Sequence, residues 1–97
     1  MNIISKKSIK EFSLIHPDAE QSLKLWYSRA KKAKWKTPND IKEVYPSASI
    51  IENNRVVFNI KGNHYRLVVA IKYDFETIYI RFIGTHAEYD EIDVSTI

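Results

Sequence analysis

The chain has no cysteine, only two glycines and three prolines, and no long apolar run. Without cysteine there are no disulfides and no thiolate metal sites, which fits a reducing cytoplasm, the expected location. No apolar stretch approaches the roughly 20 residues of a membrane span, so no membrane partner is expected. Residues 1–7 place no long apolar segment after their lysines, so no secretory signal is expected. His16, His64 and His86 are scattered and match no metal-binding spacing, and Asp90, Glu91 and Asp93 would hold Mg²⁺ only weakly, so the expectation is no metal and no other cofactor. A Gly-rich phosphate loop and a G-x-S-x-G nucleophile motif are also missing.

What is present suits one small globular domain over residues 1–97, with 44% hydrophobic residues and a net charge of +3. The charge is unevenly spread. Residues 1–72 hold fourteen Lys/Arg against six Asp/Glu, and residues 73–97 hold one arginine against six acids. A basic body with an acidic end suits a polyanion such as RNA; the plainer alternative is a solvated, lysine-rich surface.

The first half reads helical and the second half as sheet, an α+β pattern. Residues 2–4 suit a short strand. A helix opening at Ser5 or Lys6 carries Ile9, Phe12 and Ile15 and breaks at His16-Pro17. A second begins at Pro17-Asp18 and places Leu23, Trp26, Tyr27 and Ala30 on one face. Its end is rich in cations, among them Lys31, Lys32 and Lys34, where they suit the helix dipole. Trp35 suits a cover for the core. A short helix follows over Asp40–Tyr45, stopped by Pro46.

Alternation then predicts strands over Arg55–Lys61, His64–Tyr73 and Thr77–Ile83, with Gly62-Asn63 as a two-residue hairpin turn. That turn pairs Lys61 with His64, Asn59 with Arg66 and Phe58 with Leu67. In the next hairpin a continuous core asks Tyr73 to share a face with Ile78. Ile78, Ile80 and Phe82 then lie in phase on the core side, and Arg81 falls near Ala70, on the same face as Arg66. The face opposite the core would carry Asn59, Lys61, His64, Arg66, Lys72, Tyr79 and Arg81, with Val57, Val68, Ala70 and Ile83 among them. Such a face suits half of a cleft.

The richest stretch is Arg81 to Asp90, which gathers an arginine, a histidine, a tyrosine and two carboxylates around Gly84. Arg66 and Arg81 on one sheet face would grip a phosphate and stabilise a five-coordinate transition state. Cleavage of RNA by its own 2′-hydroxyl needs a base for that hydroxyl and an acid for the leaving oxygen. Histidine suits either role, and tyrosine the second. His86 and Tyr89, three apart, would align on a helical turn. The competing structural readings are arginines paired with Glu88 or Asp90, a histidine capping a turn and a tyrosine packed at a sheet edge.

These segments resemble the HigB-type toxins of bacterial type II toxin–antitoxin systems, a branch of the RelE-like superfamily. The resemblance is carried by Trp35-Lys36 with Pro38 and Asp40, by 57–63 (VFNIKGN), by Tyr65-Arg66-Leu67-Val68, by Ile80-Arg81-Phe82 and by 84–90 (GTHAEYD). It implies a RelE-like fold, N-terminal helices packed on a small twisted antiparallel sheet. It implies an endoribonuclease (mRNA interferase) that cleaves mRNA on the ribosome without a metal and so inhibits translation. It implies a helix-turn-helix antitoxin of HigA type as partner, with operator DNA reached only through the toxin–antitoxin complex. Arg66, Arg81, His86 and Tyr89 would then be catalytic, Asn59 and Lys61 would assist at the RNA, and Lys31, Lys32 and Lys34 would meet RNA backbone. Two other classes remain open on the residues alone. One is a non-catalytic RNA- or ribosome-binding protein using the same basic surface; the other is an interaction module with only a structural role.

Overall fold

The computed structural model describes residues 1–97. Helices cover one face of a five-stranded sheet of order β1-β5-β4-β3-β2. The elements are β1 (Asn2–Ile4), α1 (Lys6–Ile15), α2 (Glu20–Lys32), α3 (Pro38–Val44), β2 (Ser49–Ile51), β3 (Arg55–Ile60), β4 (Tyr65–Lys72), β5 (Thr77–Thr85) and α4 (His86–Tyr89). The α+β expectation holds, as does a RelE-like layout of helices on a sheet. One feature of the sheet differs: β1 joins β5 in parallel, so the sheet is mixed.

Pro17 opens a single 3-10 turn, Pro17–Ala19, ahead of α2. α2 turns Leu23, Trp26 and Ala30 into the core, all at most 2% exposed. In α1 the expected Ile9–Phe12–Ile15 row drifts off the buried face. Three-residue steps fall about 60° short of a full turn, so Ser13, four after Ile9, is buried and Ile15 is 75% exposed. The Ser13 hydroxyl donates to the Ile9 carbonyl at 2.8 Å. α3 begins two residues earlier than expected, with Pro38 in its first turn. Thr37 Oγ1 accepts from the Asp40 N–H at 3.3 Å, and Asp40 Oδ2 accepts from the Thr37 N–H at 3.2 Å. Trp35 is buried and stacks on Phe58, with ring centroids 6.2 Å apart.

The β3–β4 register is the expected one: Phe58 pairs with Leu67 and Asn59 with Arg66. Lys61 and His64 flank the turn, where the His64 N–H donates to the Lys61 carbonyl at 3.2 Å. Gly62 sits at φ +63°, a conformation that favours glycine. β2 was not legible in the sequence. It joins β3 through a turn in which Asn53 and Asn54 both take φ +60°, which asparagine tolerates, so no glycine marks the hairpin.

β5 departs from the expected register. Ala70 pairs with Tyr79 and Val69 with Ile80, but Val68 pairs with Phe82, leaving Arg81 as an extra residue in a β-bulge. One inserted residue inverts the alternation beyond it. Ile83, opposite Leu67, takes the core side, and Phe82 moves to the open face with Gly84. On the helix side at this end, Phe12, His16 and Tyr65 already fill the space with three rings, 4.5–5.3 Å apart pairwise. On the open side the Phe82 ring lies over Gly84: a Cβ on Gly84 would fall 2.4 Å from it. The core joins Phe58, Leu67, Val69, Ile71, Ile78 and Ile80 to α2; Val57 and Val68 are buried outside it, on the open face.

Replacing Gly84 by alanine forces the Phe82 ring off its seat. The expected loss is about 1–3 kcal/mol of stability, the usual cost of overpacking, read as a lower denaturant midpoint in chemical unfolding.

Candidate active site

The bulge matters because it decides what stands beside Arg66. Beyond it, Gly84 pairs with Arg66 and Thr85 with Tyr65, so β5 delivers α4 to the flank of Arg66. α4 is one turn long and held by a capping box. Thr85 Oγ1 accepts from the Glu88 N–H at 3.2 Å, and Glu88 Oε1 accepts from the Thr85 N–H at 2.8 Å. The Thr85 N–H, then the Thr85 side chain, hold the Glu88 carboxyl below the usual carboxylate range, with a smaller contribution from nearby His16. The His86 N–H also donates to the His64 carbonyl at 3.3 Å, tying α4 to the β3–β4 hairpin.

Arg66 lies on the open face, paired through its backbone with Asn59 on one side and Gly84 on the other. Its Nη1 donates to the carbonyls of Asn63 and Tyr65 at 3.1 and 3.3 Å. These bonds aim the guanidinium over the Tyr89 ring, 5.8 Å from its centroid. One turn away, His86 Nδ1 meets Asp90 Oδ2 at 3.0 Å. A carboxylate on Nδ1 favours a proton there, which leaves Nε2 as the free acceptor of a neutral imidazole. In the competing structural reading Asp90 was a possible partner for an arginine; it meets His86 instead. Its i, i+4 relation to His86 was visible in the sequence and points to the contact observed.

The Lys61 side chain, expected to assist at the RNA, has a partner within the protein. Its Nζ donates to Asp18 Oδ2 at 3.1 Å, and the Tyr65 hydroxyl donates to Asp18 Oδ1 at 2.6 Å. The Tyr65 bond, then Lys61, holds the Asp18 carboxyl below its ordinary range, and the same contact pushes the Tyr65 phenol up. Asp18 therefore pins the hairpin to the turn between α1 and α2. His16 stands beside it, stacked on Phe12 at 4.5 Å and 5.2 Å from the Tyr65 ring. No motif marked Asp18 as a site residue, because its partners Lys61 and Tyr65 lie more than forty residues away.

Arg66, Tyr89, His86 and Asn59 thus gather at one end of the sheet, with Lys61 at the adjoining hairpin. Arg81 does not pair opposite Ala70. It is exposed in the bulge, about 10 Å of strand from Gly84, and lines a cleft with Ser8, Glu11, Phe12 and Ile15 of α1. Nor do Lys31, Lys32 and Lys34 stand at this end. Asp18 anchors the start of α2 here, and thirteen helical residues carry the chain roughly 20 Å away.

The open face is partly covered. Beyond α4 the chain runs back toward the β2–β3 turn, where Asn53 Nδ2 donates to the Ser95 carbonyl at 3.0 Å and Arg55 donates to the Ile97 carbonyl. The cleft expected on this face is therefore narrowed to the end that holds Arg66 and α4. The site contains no group of three or more acidic, histidine or cysteine side chains placed to hold a metal ion.

Residues 19–92 match the HigB toxin family, described as the RelE-like toxic component of a toxin–antitoxin system. The chain is 30% identical over 92 residues to the mRNA interferase toxin HigB of Escherichia coli K12, covering 93% of this chain and 88% of that protein. The mRNA interferase HigB of Shigella flexneri gives the same figures. The mRNA interferase HigB of E. coli O6:H1 is 27% identical over 94 residues, covering 95% of this chain and 91% of that protein.

Removing the Tyr65 hydroxyl tests the Asp18 anchor. In Tyr65→Phe the Asp18 carboxyl loses its main stabilising donor, so its pKa rises toward the ordinary value, measurable by NMR titration. Because the folded-state value is depressed, this contact stabilises the fold above about pH 4 and its contribution fades as pH falls through the folded value. The wild type should therefore lose more stability than the variant on acidification through that range.

Proposed function

This chain belongs to the RelE-like HigB toxins of toxin–antitoxin systems, and we propose that it is an mRNA endonuclease working through Arg66, His86 and Tyr89. The observation that carries this reading is one cluster: a guanidinium over the Tyr89 ring at 5.8 Å, beside a histidine whose Nδ1 is held by Asp90 at 3.0 Å. The cluster offers a phosphate ligand, a base and an acid without requiring a metal.

In the proposed reaction Arg66 holds the scissile phosphate. His86 Nε2 takes the proton of the 2′-hydroxyl, whose oxygen attacks the adjacent phosphorus. The bond to the 5′ oxygen breaks, and the Tyr89 hydroxyl donates a proton to that oxygen. The products are a 2′,3′-cyclic phosphate and a 5′-hydroxyl end. Arg66 stabilises the extra charge of the five-coordinate transition state, and the single turn of α4 keeps base and acid together. Asp90 acts through His86, as the carboxylate that fixes its ring and tautomer.

Arg81, in the bulge, serves a neighbouring stretch of RNA backbone in this reading, and Asn59 and Lys61 line the approach. Lys31, Lys32 and Lys34, at the far end of α2, meet RNA backbone without reading sequence. The substrate is mRNA on the ribosome, whose surrounding RNA supplies the polyanion that the basic body suits. The partner is a helix-turn-helix antitoxin, through whose complex operator DNA is bound.

The test is induced expression in a bacterial host with mapping of mRNA 5′ ends. The wild type should arrest growth and produce new ends within translated frames. His86→Ala should reduce cutting by about 10²–10⁴-fold, the usual contribution of a general base, with ribosome binding retained. Asp90→Asn should cause a smaller fall and alter the pH profile of cleavage. Arrest without new ends would replace this reading with a non-catalytic ribosome binder, and normal growth with folded wild-type protein would overturn the toxin reading.

A further inference from the structure

Three consecutive carbonyls of the β3–β4 hairpin are engaged by the reacting groups. Those of Asn63 and Tyr65 accept from Arg66 Nη1 at 3.1 and 3.3 Å, and that of His64 accepts from the His86 N–H at 3.3 Å. One short loop therefore aims the guanidinium and holds the first residue of α4. A shift of the loop carries the phosphate ligand and the base with it.

Turn chemistry alone holds this loop weakly. Lys61 takes φ +50° and Gly62 φ +63°. Glycine accepts that conformation freely, but a Cβ makes it unfavourable at Lys61. The bond within the loop, from the His64 N–H to the Lys61 carbonyl, is 3.2 Å, at the long end of the normal range. Residues 61–64 are all exposed, so burial of their side chains does not fix them.

A single carboxylate supplies the missing restraint. Asp18 Oδ2 accepts from Lys61 Nζ at 3.1 Å, and Asp18 Oδ1 accepts from the Tyr65 hydroxyl at 2.6 Å. The two donors stand at opposite ends of the loop, so the two oxygens brace it. Asp18 is itself held in the 3-10 turn Pro17–Ala19, where Pro17 has a fixed φ and Ala19 is fully buried. The Tyr65 ring packs edge-on against Phe12 at 5.3 Å, which keeps its hydroxyl at Asp18. Asp18 has no hydrogen bond to Arg66, His86 or Tyr89, so its effect on them passes through the hairpin.

We propose that Asp18 is a positioning residue for the cleavage reaction: by bracing Lys61 and Tyr65 it sets the hairpin carbonyls that aim Arg66 and seat His86. This role rests on the nuclease reading above. A misplacement of about 1 Å between reacting groups can slow a reaction by about 10²-fold, so a brace outside the site can govern turnover. Lys61 gives the role a distinguishing sign. Without Asp18 its ammonium is released to the RNA approach, so substrate binding is not weakened while turnover falls.

The experiment measures mRNA cleavage on purified ribosomes by the full chain, with kcat and KM separated. Wild type is compared with Asp18→Ala, Tyr65→Phe and the double variant. Thr37→Ala is the control for lost stability: it removes the α3 cap, whose Asp40 lies near Tyr73 at the end of β4 away from the hairpin. Unfolding in denaturant confirms that each variant is folded at the assay temperature. The expected result is a fall in kcat of about tenfold or more for Asp18→Ala, with no rise in KM. Tyr65→Phe keeps the Lys61 bond and should fall less, and the double variant should fall no further than Asp18→Ala. Thr37→Ala should keep the wild-type kcat. If Asp18→Ala fails to fold, Tyr65→Phe, which removes a single hydroxyl, carries the same test against the control. Unchanged kcat in the folded variants would overturn the role and leave the nuclease reading intact. A raised KM with unchanged kcat would assign Asp18 to substrate binding, and an equal loss in Thr37→Ala would assign it to stability alone; either result overturns the role. Losses that multiply in the double variant would separate Asp18 from Tyr65 and overturn it too. Absence of cleavage by the wild type would overturn the nuclease reading itself, and this role with it.

Discussion

β4 is paired with β3 through Asn59–Arg66 and with β5 through Gly84–Arg66, so Arg66 is held by backbone on both sides. That double pairing is the constraint on which the site depends. Leu67, Val69 and Ile71 on the other face of β4 are fully buried, and a slip of one residue would exchange them with Arg66, Val68 and Ala70. Hydrophobic burial thus fixes where a polar side chain stands, and Arg66 is presented to the open face because its alternate neighbours cannot leave the core.

The bulge at Arg81 then sets what meets Arg66. With regular pairing, Phe82 would crowd the rings of Phe12, His16 and Tyr65, and Gly84 would turn toward the helices. The extra residue sends Phe82 to the open side, where Gly84 has no Cβ to oppose its ring, and brings α4 beside Arg66. A feature of strand geometry therefore positions the histidine and tyrosine, and it also places the second arginine at the edge of β5. The Asp18 contacts with Lys61 and Tyr65 brace the same end from the helical side, so one end of the sheet is fixed by both layers.

The two surfaces of the molecule have different physics. The open face joins charge and proton-carrying groups at one end and is covered elsewhere by the segment that reaches Arg55. The helical side presents an apolar groove with a lysine rim.

Alternation and turn chemistry made the β3–β4 hairpin legible, including the facing of Asn59 and Arg66, because one face of each strand must be apolar. Helical spacing likewise identified Leu23, Trp26 and Ala30 as core, and the local grouping of His86 and Tyr89 needed only their separation along the chain. Four features depended on tertiary structure. The parallel placement of β1 arises from contacts between residues about seventy-five apart. The bulge answers to how much room three rings leave on the helix side. The partnership of Asp18 with Lys61 and Tyr65 joins segments with no common motif. The distance between the helical lysines and the site follows from the direction in which α2 leaves Asp18. Sequence by itself determined which residues alternate, cap and turn, since those properties are local. Only the packed structure decided which distant groups share one end of the sheet, since that depends on volumes and directions that no single segment contains.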